Sequence, residues 1–190
     1  VGLNVTSPFK KSVIHFLDAL DKDAEELGSV NTIRVAEGKL IGFNTDAPAF
    51  EQSIEPIKSK VQKALVLGTG GASNAICHVL DRLAIGYMLC SRSPKDNQIA
   101  YHMLDMEIIS KCNLIINATP LGMYPKVDSA PDIPYKYISA EHILYDLVYN
   151  PEETAFLKRG KMKGATIKNG LEMLHLQADL AWNIWSPISK

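Results

Sequence analysis

Lys63-Ala-Leu-Val-Leu-Gly-Thr-Gly-Gly-Ala-Ser73 decides how this chain is read. Four apolar residues, Ala64 to Leu67, run into a glycine-rich turn, and helix-compatible sequence follows to Leu83. The order strand, tight turn, helix opens a dinucleotide-binding unit. Gly68 lets the chain turn sharply and Gly70 lets a pyrophosphate approach the backbone. The start of the helix adds unpaired N–H groups and a partial positive charge. Ser73 stands where the usual third glycine would be. Such a turn also serves as a plain strand-to-helix connector, so the surrounding chain must carry part of the argument.

Downstream, the pattern alternates. Strands are predicted at 64–67, 86–90, 99–101, 113–117, 142–147 and 165–167, with helices at 72–83, 105–111, 153–161 and 170–185. This rhythm predicts a parallel sheet with right-handed crossovers and ligands at the carboxyl ends of its strands. Thr119 to Ser139 is a long connection with four prolines, a length associated with function or mobility. In the final helix, Leu171, Leu174, Ala178, Ala181 and Trp185 are expected along one side. Upstream, Val13, Ile14, Leu17 and Leu20 predict a helix over 11–20, and Glu37-Gly38-Lys39 between two β-prone runs predicts a hairpin. A short helix is expected over 46–54, and a domain boundary near the polar, proline-containing stretch 55–60.

The chain of 190 residues has room for one large domain or two small ones. A net charge of −1 gives no basic field for nucleic acid, and no basic amphipathic helix suggests a membrane surface. Cys77, Cys90 and Cys112 lie in or beside apolar runs without Cys-x-x-Cys spacing, which reads as reduced thiols in a cytoplasmic protein. His15, His78, His102, His142 and His175 show no metal-ligand spacing, so no metal is expected. The chain opens at Val1 rather than at a methionine, and an upstream start is expected.

The end of the second strand of such a fold selects the dinucleotide. An acidic side chain there holds the ribose 2′-hydroxyl of NAD, and an arginine accommodates the 2′-phosphate of NADP. This chain reads Cys90-Ser-Arg-Ser-Pro-Lys95. Arg92 stands in the acid's place, Lys95 follows, and the hydroxyls of Ser91 and Ser93 are available to a phosphate. Arg92 is also readable as an ordinary solvated arginine; its position after the glycine turn favours NADP. Asn117 ends a predicted strand, where ligands collect. Gly122 and Met123 are candidates for a nicotinamide pocket, with core packing the ordinary alternative for Met123. Asp146 lies inside an apolar strand and needs a buried partner; a structural role around Tyr149 is expected.

Several ordered segments resemble the shikimate dehydrogenase family. They are Asn4-Val-Thr-Ser-Pro-Phe-Lys10, Gly28-Ser-Val-Asn-Thr32, Gly42-Phe-Asn-Thr-Asp46 and Gly68-Thr-Gly-Gly-Ala72. Ser91-Arg-Ser93, Ile116-Asn-Ala-Thr-Pro-Leu-Gly-Met123, Tyr145-Asp-Leu-Val-Tyr-Asn-Pro151 and Asn169-Gly-Leu-Glu-Met-Leu-His-Leu-Gln-Ala178 follow. The resemblance implies NADP-dependent reduction of 3-dehydroshikimate to shikimate, in aromatic amino acid biosynthesis. The fold it implies is α/β, a Rossmann-like NADP-binding domain with a parallel sheet plus a partial α/β substrate domain. The expected ranges are 1–58 for the substrate domain and 59–168 for the cofactor domain. A C-terminal helix within 169–190 is expected to return to the substrate domain.

Carried over by motif, the resemblance makes Lys10 and Asp46 the catalytic pair. It puts Asn4, Thr6, Asn31 and Gln177 on the substrate's hydroxyls and Tyr149 between substrate and nicotinamide. Gly68, Thr69, Gly70, Gly71 and Ala72 would line the pyrophosphate, with Ser91, Arg92, Ser93 and Lys95 at the 2′-phosphate. Asn117, Thr119, Leu147 and Gly170 complete the expected cofactor contacts. The chemistry agrees: ketone reduction needs a proton on the developing alkoxide, a lysine ammonium can stabilise that oxygen and supply the proton, and the sequence leaves open which of Lys10 and Asp46 moves it. Taken alone, Lys10 reads as a solvated charge and Asp46 as a helix N-cap, since Thr45-Asp46 precedes Ala47-Pro48. The family's opening strand, with a Ser-x-Ser pair for the substrate carboxylate, has no counterpart in the sequence; Ser73 fits the family's looser turn. A quinate-acting paralogue and a non-catalytic NADP-binding fragment are the alternatives. A small-molecule substrate and a monomer or homodimer are expected.

Overall fold

The structure is a computed structural model and describes residues 1–186. Positions 187–190 of the expected C-terminal segment lie outside the described residues. The chain divides into two compact units. One holds Val1–Ile54 and the chain from Met173 onward; the other is Glu55–Glu172.

The first unit carries a mixed four-stranded sheet of β1 (Gly2–Asn4), β2 (Ala19–Leu20), β3 (Thr32–Ala36) and β4 (Lys39–Phe43), in the order β1-β3-β4-β2. β3 and β4 form the expected hairpin. Its two-residue turn, Glu37 and Gly38, has φ of 52° and 74°, the positive pair that matches the twist of the flanking strands. The helix expected over 11–20 is replaced by a 3-10 turn at Ser12–Phe16 followed by β2. Asp18 explains the change: its N–H donates to the Leu40 carbonyl at 2.8 Å, and its carboxylate accepts the Leu40 N–H at 2.7 Å. Backbone pairing thus captures residues that a helix would have used internally. The apolar spacing still serves packing, because Val13, Ile14 and Leu17 cover Ala24, Val30 and Ile33.

The sequence reading missed α1 (Lys22–Leu27), although both of its ends are marked. Asp21 accepts the Ala24 N–H at 2.9 Å, and Gly28 ends the helix in the left-handed region. α2 (Asp46–Ile54) buries Ala47, Ala49, Phe50 and Ile54.

The second unit is the βα alternation read from the sequence. β5 (Ala64–Leu67), α3 (Gly71–Arg82), β6 (Tyr87–Ser91), β7 (Gln98–Ala100), α4 (Met106–Lys111), β8 (Leu114–Asn117), β9 (Ile143–Asp146), α5 (Ala155–Lys161) and β10 (Thr166–Lys168) follow in order. The strands form one parallel sheet, β10-β9-β8-β5-β6-β7. β5, β8 and β9 are buried along their whole length, as strands covered on both faces must be. Leu65, Leu67, Ile115 and Leu144 join Phe156 and Leu157 in the core. Each fully buried side chain of this size stabilises by roughly 1.5–3 kcal/mol.

Register places Asp146, Asn117, Leu67 and Cys90 in one row at the carboxyl edge of the sheet. The chain winds outward in one direction from β5 and in the other from β8, so the crevice outside their carboxyl ends is the topological switch point where ligands bind in such sheets.

α6 (Leu171–Trp185) keeps only part of the face expected of it. Met173 and Ala181 are buried, whereas Leu171 and Ala178 are exposed. Trp185, on the expected side with Ala181, donates its indole N–H to the Ile33 carbonyl at 2.9 Å.

Candidate active site

In the first unit, Lys10 and Asp46 are joined. The Lys10 ammonium donates to Asp46 Oδ2 at 2.6 Å, with side-chain exposures of 23% and 17%, so the pair is sheltered but reachable. Asn31 Nδ2 donates to Asp46 Oδ1 at 3.0 Å and to Thr45 Oγ1 at 2.9 Å. Asn31 Oδ1 accepts the Thr45 N–H at 2.8 Å and the Thr32 hydroxyl at 3.1 Å. Both ends of this buried amide are engaged, and its effect is to hold the carboxylate in one orientation.

Asp46 is not the helix cap. Asn44 is: its Oδ1 accepts the N–H groups of Asp46 at 3.0 Å and Ala47 at 3.2 Å, while its Nδ2 donates to the Ser29 carbonyl at 2.8 Å. The N-cap reading of Asp46 is therefore corrected. With the cap supplied two residues earlier, the Asp46 side chain is available to Lys10. Asn4 pairs with Thr32 in the β1–β3 ladder and the Val5 N–H donates to the Asn31 carbonyl at 2.8 Å, so Asn4 and Thr6 flank this cluster along the backbone, and both line a groove of about 470 Å³ with Leu3, Phe9, Phe16 and Ile33. Gln177 is half-buried, and its Nε2 donates to the Leu174 carbonyl of its own helix at 3.1 Å.

In the second unit, the turn after β5 is shaped for an anion. Gly68 has φ of 104°, and a Cβ there would lie 2.9 Å from the Thr119 methyl group. Ser73 is buried and donates its hydroxyl to the Gly68 carbonyl at 2.7 Å, closing the turn from the position of the missing glycine. Gly70 precedes α3 in extended backbone without a side-chain cap. A Cβ added at Gly70 or Gly71 would meet nothing within 4 Å, so the cradle is open. Thr69 and Ala72 are exposed beside it. These features fit a pyrophosphate on free helix-terminal N–H groups.

At the end of β6, Ser91 accepts the Ser93 N–H at 3.2 Å, and Arg92, Ser93 and Lys95 are exposed. Exposed cations and a hydroxyl beyond this strand suit a 2′-phosphate. Asn117 differs from expectation: its side chain has no exposed surface and is spent within the protein. It accepts from Thr119 N–H (3.1 Å) and Oγ1 (2.6 Å), and donates to Asp146 and to the Leu121 carbonyl. Its side chain shapes the edge of the sheet.

Asp146 is wholly buried and has the partners its sequence context demanded. It accepts from Asn117 Nδ2 at 2.9 Å, the Val148 N–H at 3.0 Å and the Thr154 hydroxyl at 2.5 Å. Burial pushes its carboxyl up to about 6 against the lowering effect of those bonds. Tyr149, three residues on, is 46% exposed. Gly170 packs against Leu147, and a Cβ there would run into the Leu147 carbonyl group. Met123 is 48% exposed, which overturns the core-packing alternative for it.

The model of the shikimate dehydrogenase substrate binding domain matches residues 1–33. A shikimate dehydrogenase (NADP(+)) of Desulforamulus reducens is 35% identical over 206 residues, covering 97% of this chain and 71% of the relative. The chain belongs to the shikimate dehydrogenase family. Its fold is likewise similar to solved members. A chorismate mutase/shikimate 5-dehydrogenase fusion protein from Clostridium acetobutylicum matches with a TM-score of 0.88 at 33% identity, over 100% of this chain and 72% of that one. Shikimate 5-dehydrogenase from Thermus thermophilus, solved with NADP(H) and shikimate, matches with 0.85 at 33%, over 98% and 73%.

Sequence reasoning missed Asn44, Thr45 and Thr154 among the residues that build these two clusters in this member of the shikimate dehydrogenase family. Asn44 carried a signal, an Asx residue two places before a helix start. Thr154 carried the same kind of signal for α5, whose Leu157 N–H it accepts at 3.3 Å.

Proposed function

We propose that this chain interconverts shikimate and 3-dehydroshikimate with NADP(H), a step of aromatic amino acid biosynthesis. The observation that carries the reading is the Lys10–Asp46 pair, held by Asn31 within a family of NADP-dependent shikimate dehydrogenases. NADP supplies the hydride acceptor when bound. Lys10 holds the oxygen of the reacting carbon and moves its proton, and Asp46 orients the ammonium and hydrogen-bonds a neighbouring hydroxyl. The geometry supports a changed role for Asn31, since its amide already serves Asp46 and Thr45: it orients the carboxylate. Asn4, Thr6 and Gln177 remain the candidates for the substrate's hydroxyls, and Tyr149 for the nicotinamide side.

Gly68 to Ala72 would cradle the pyrophosphate, with Arg92, Ser93 and Lys95 at the 2′-phosphate. Thr119, Leu147 and Gly170 form the nicotinamide side of the same edge. In this reading the first unit is the substrate half and the second the cofactor half. Free thiols at Cys77, Cys90 and Cys112 suit a cytoplasmic enzyme acting on small molecules. No helix among the described residues is long and apolar enough to cross a membrane.

The test is turnover of shikimate and quinate, each with NADP⁺ and with NAD⁺, followed by the absorbance of the reduced cofactor. Highest kcat/KM with shikimate and NADP⁺ is expected. Preference for quinate would support the paralogue reading. NADP⁺ binding without turnover of either would support a binding fragment.

A further inference from the structure

Three backbone segments at the carboxyl edge of the six-stranded sheet converge on one carboxylate. The Asn117 side chain, the Val148 backbone and the Thr154 hydroxyl all donate to Asp146. From Asn117 the chain of contacts continues: its Oδ1 fixes Thr119 through both N–H and hydroxyl, and the Thr119 methyl fills the space beside Gly68. From Val148 it continues the other way, because the Val148 carbonyl accepts the Gly170 N–H at 3.2 Å and Tyr149 follows next in the chain. Thr154 adds a third link, since its Cβ would be 3.2 Å from a Cβ at Gly122, in the loop after β8.

We propose that Asp146 is a positioning residue for the cofactor. Through Asn117 and Thr119 it sets the wall of the glycine turn, and through Val148 it sets the loop that bears Tyr149. The inference rests on reading that turn as the NADP site. No part of Asp146 reaches a ligand, as it has no exposed surface. It acts because three donors need an acceptor that brings no proton of its own, and a carboxylate meets that demand. An asparagine would present an N–H group to one of them. That group would face Thr154, which would have to turn its own proton away and take the amide on its second lone pair, beside the Leu157 N–H it already accepts. Misplaced donors would let Thr119 move, and the turn wall with it.

The test is calorimetric titration of NADP⁺ together with thermal unfolding, on the wild-type chain, Asp146→Asn, Asn117→Ala and the double variant. His142→Leu is the control. His142 is buried just before β9, at the opposite edge of the same sheet, bonded to Ser139 and the Ile109 carbonyl. The proposal expects each single variant to weaken NADP⁺ by about tenfold and the double variant to be no weaker than the poorer single, as coupled positions behave. The control should lose stability and keep NADP⁺ affinity.

Unchanged affinity in folded Asp146→Asn, with only a lower melting temperature, would overturn the proposal, and so would additive losses. If Asp146→Asn does not fold, folded Asn117→Ala decides: weakened NADP⁺ upholds the link and unchanged NADP⁺ removes it. A wild-type chain that does not bind NADP⁺ removes the underlying cofactor reading, a result distinguishable from wild-type binding that the variants leave intact.

Discussion

Asn44 accepts the backbone N–H of Asp46 at 3.0 Å, so the cap of α2 and its first acidic side chain are two different residues. The separation matters because a capping aspartate spends its oxygens on its own helix. Here Asn44 takes that role and Asp46 keeps both oxygens for Lys10 and Asn31. Asn44→Ala should cost about 1 kcal/mol or more, the usual cost of losing a cap, with the buried bond to Ser29 lost as well. It should also lower kcat, because the Asp46 backbone loses its anchor. Thermal unfolding and steady-state kinetics on the same preparation check both.

Asp146 gives a pH dependence of known sign. Its folded carboxyl is raised from 3.8 to about 6, so between those values the native state holds a proton that the unfolded chain releases. Its contribution to stability is fully present below about pH 4 and is lost as pH rises through about 6. Subtracting the stability–pH curve of Asp146→Asn from that of the wild type should leave a fall on the order of 3 kcal/mol at most across that window. Denaturant melts at closely spaced pH values measure it; a difference curve that rises with pH contradicts the assignment.

Arg92 should decide between the two dinucleotides. On the proposed reading, Arg92→Ala would remove charge-assisted hydrogen bonds to the 2′-phosphate, each worth roughly 1.5–3 kcal/mol. KM for NADP⁺ should rise about tenfold or more while KM for NAD⁺ hardly moves. Equal loss with both cofactors would make Arg92 an ordinary exposed arginine.

Gly170→Ala should destabilise the second unit. The added Cβ would collide with the backbone carbonyl of Leu147, which cannot swing aside as a long side chain could. An overpacking cost of about 1–3 kcal/mol is expected. Because the strain enters at the Leu147–Val148 segment, NADP⁺ affinity should fall with the melting temperature. Calorimetry beside thermal unfolding reads both.

The sheet of the second unit was legible because its strands are short apolar runs bounded by turns, and the pattern repeats from Ala64 to Lys168. Residues 11–20 were misread for a physical reason. Helical spacing shows which residues face the core, and Val13, Ile14 and Leu17 do, but it does not show that Asp18 will pair with Leu40. α1 escaped notice because Ala24 is its only buried residue, which leaves little apolar period to detect. In α6 the expected side holds at Ala181 and at Trp185, which reaches a carbonyl of β3, and fails at Leu171 and Ala178, which are exposed. The site divides similarly. The glycine turn is local and could be read directly. Lys10 and Asp46 are 36 residues apart, and only resemblance paired them.

The central claim is that Lys10, held by Asp46, moves the proton of the reacting hydroxyl. The most direct test is shikimate oxidation by Lys10→Ala beside the wild-type chain, with NADP⁺ affinity measured on both. The account predicts a loss of kcat of about a hundredfold or more, the scale of a removed general acid–base group, with NADP⁺ affinity unchanged. Wild-type turnover retained in Lys10→Ala would contradict it.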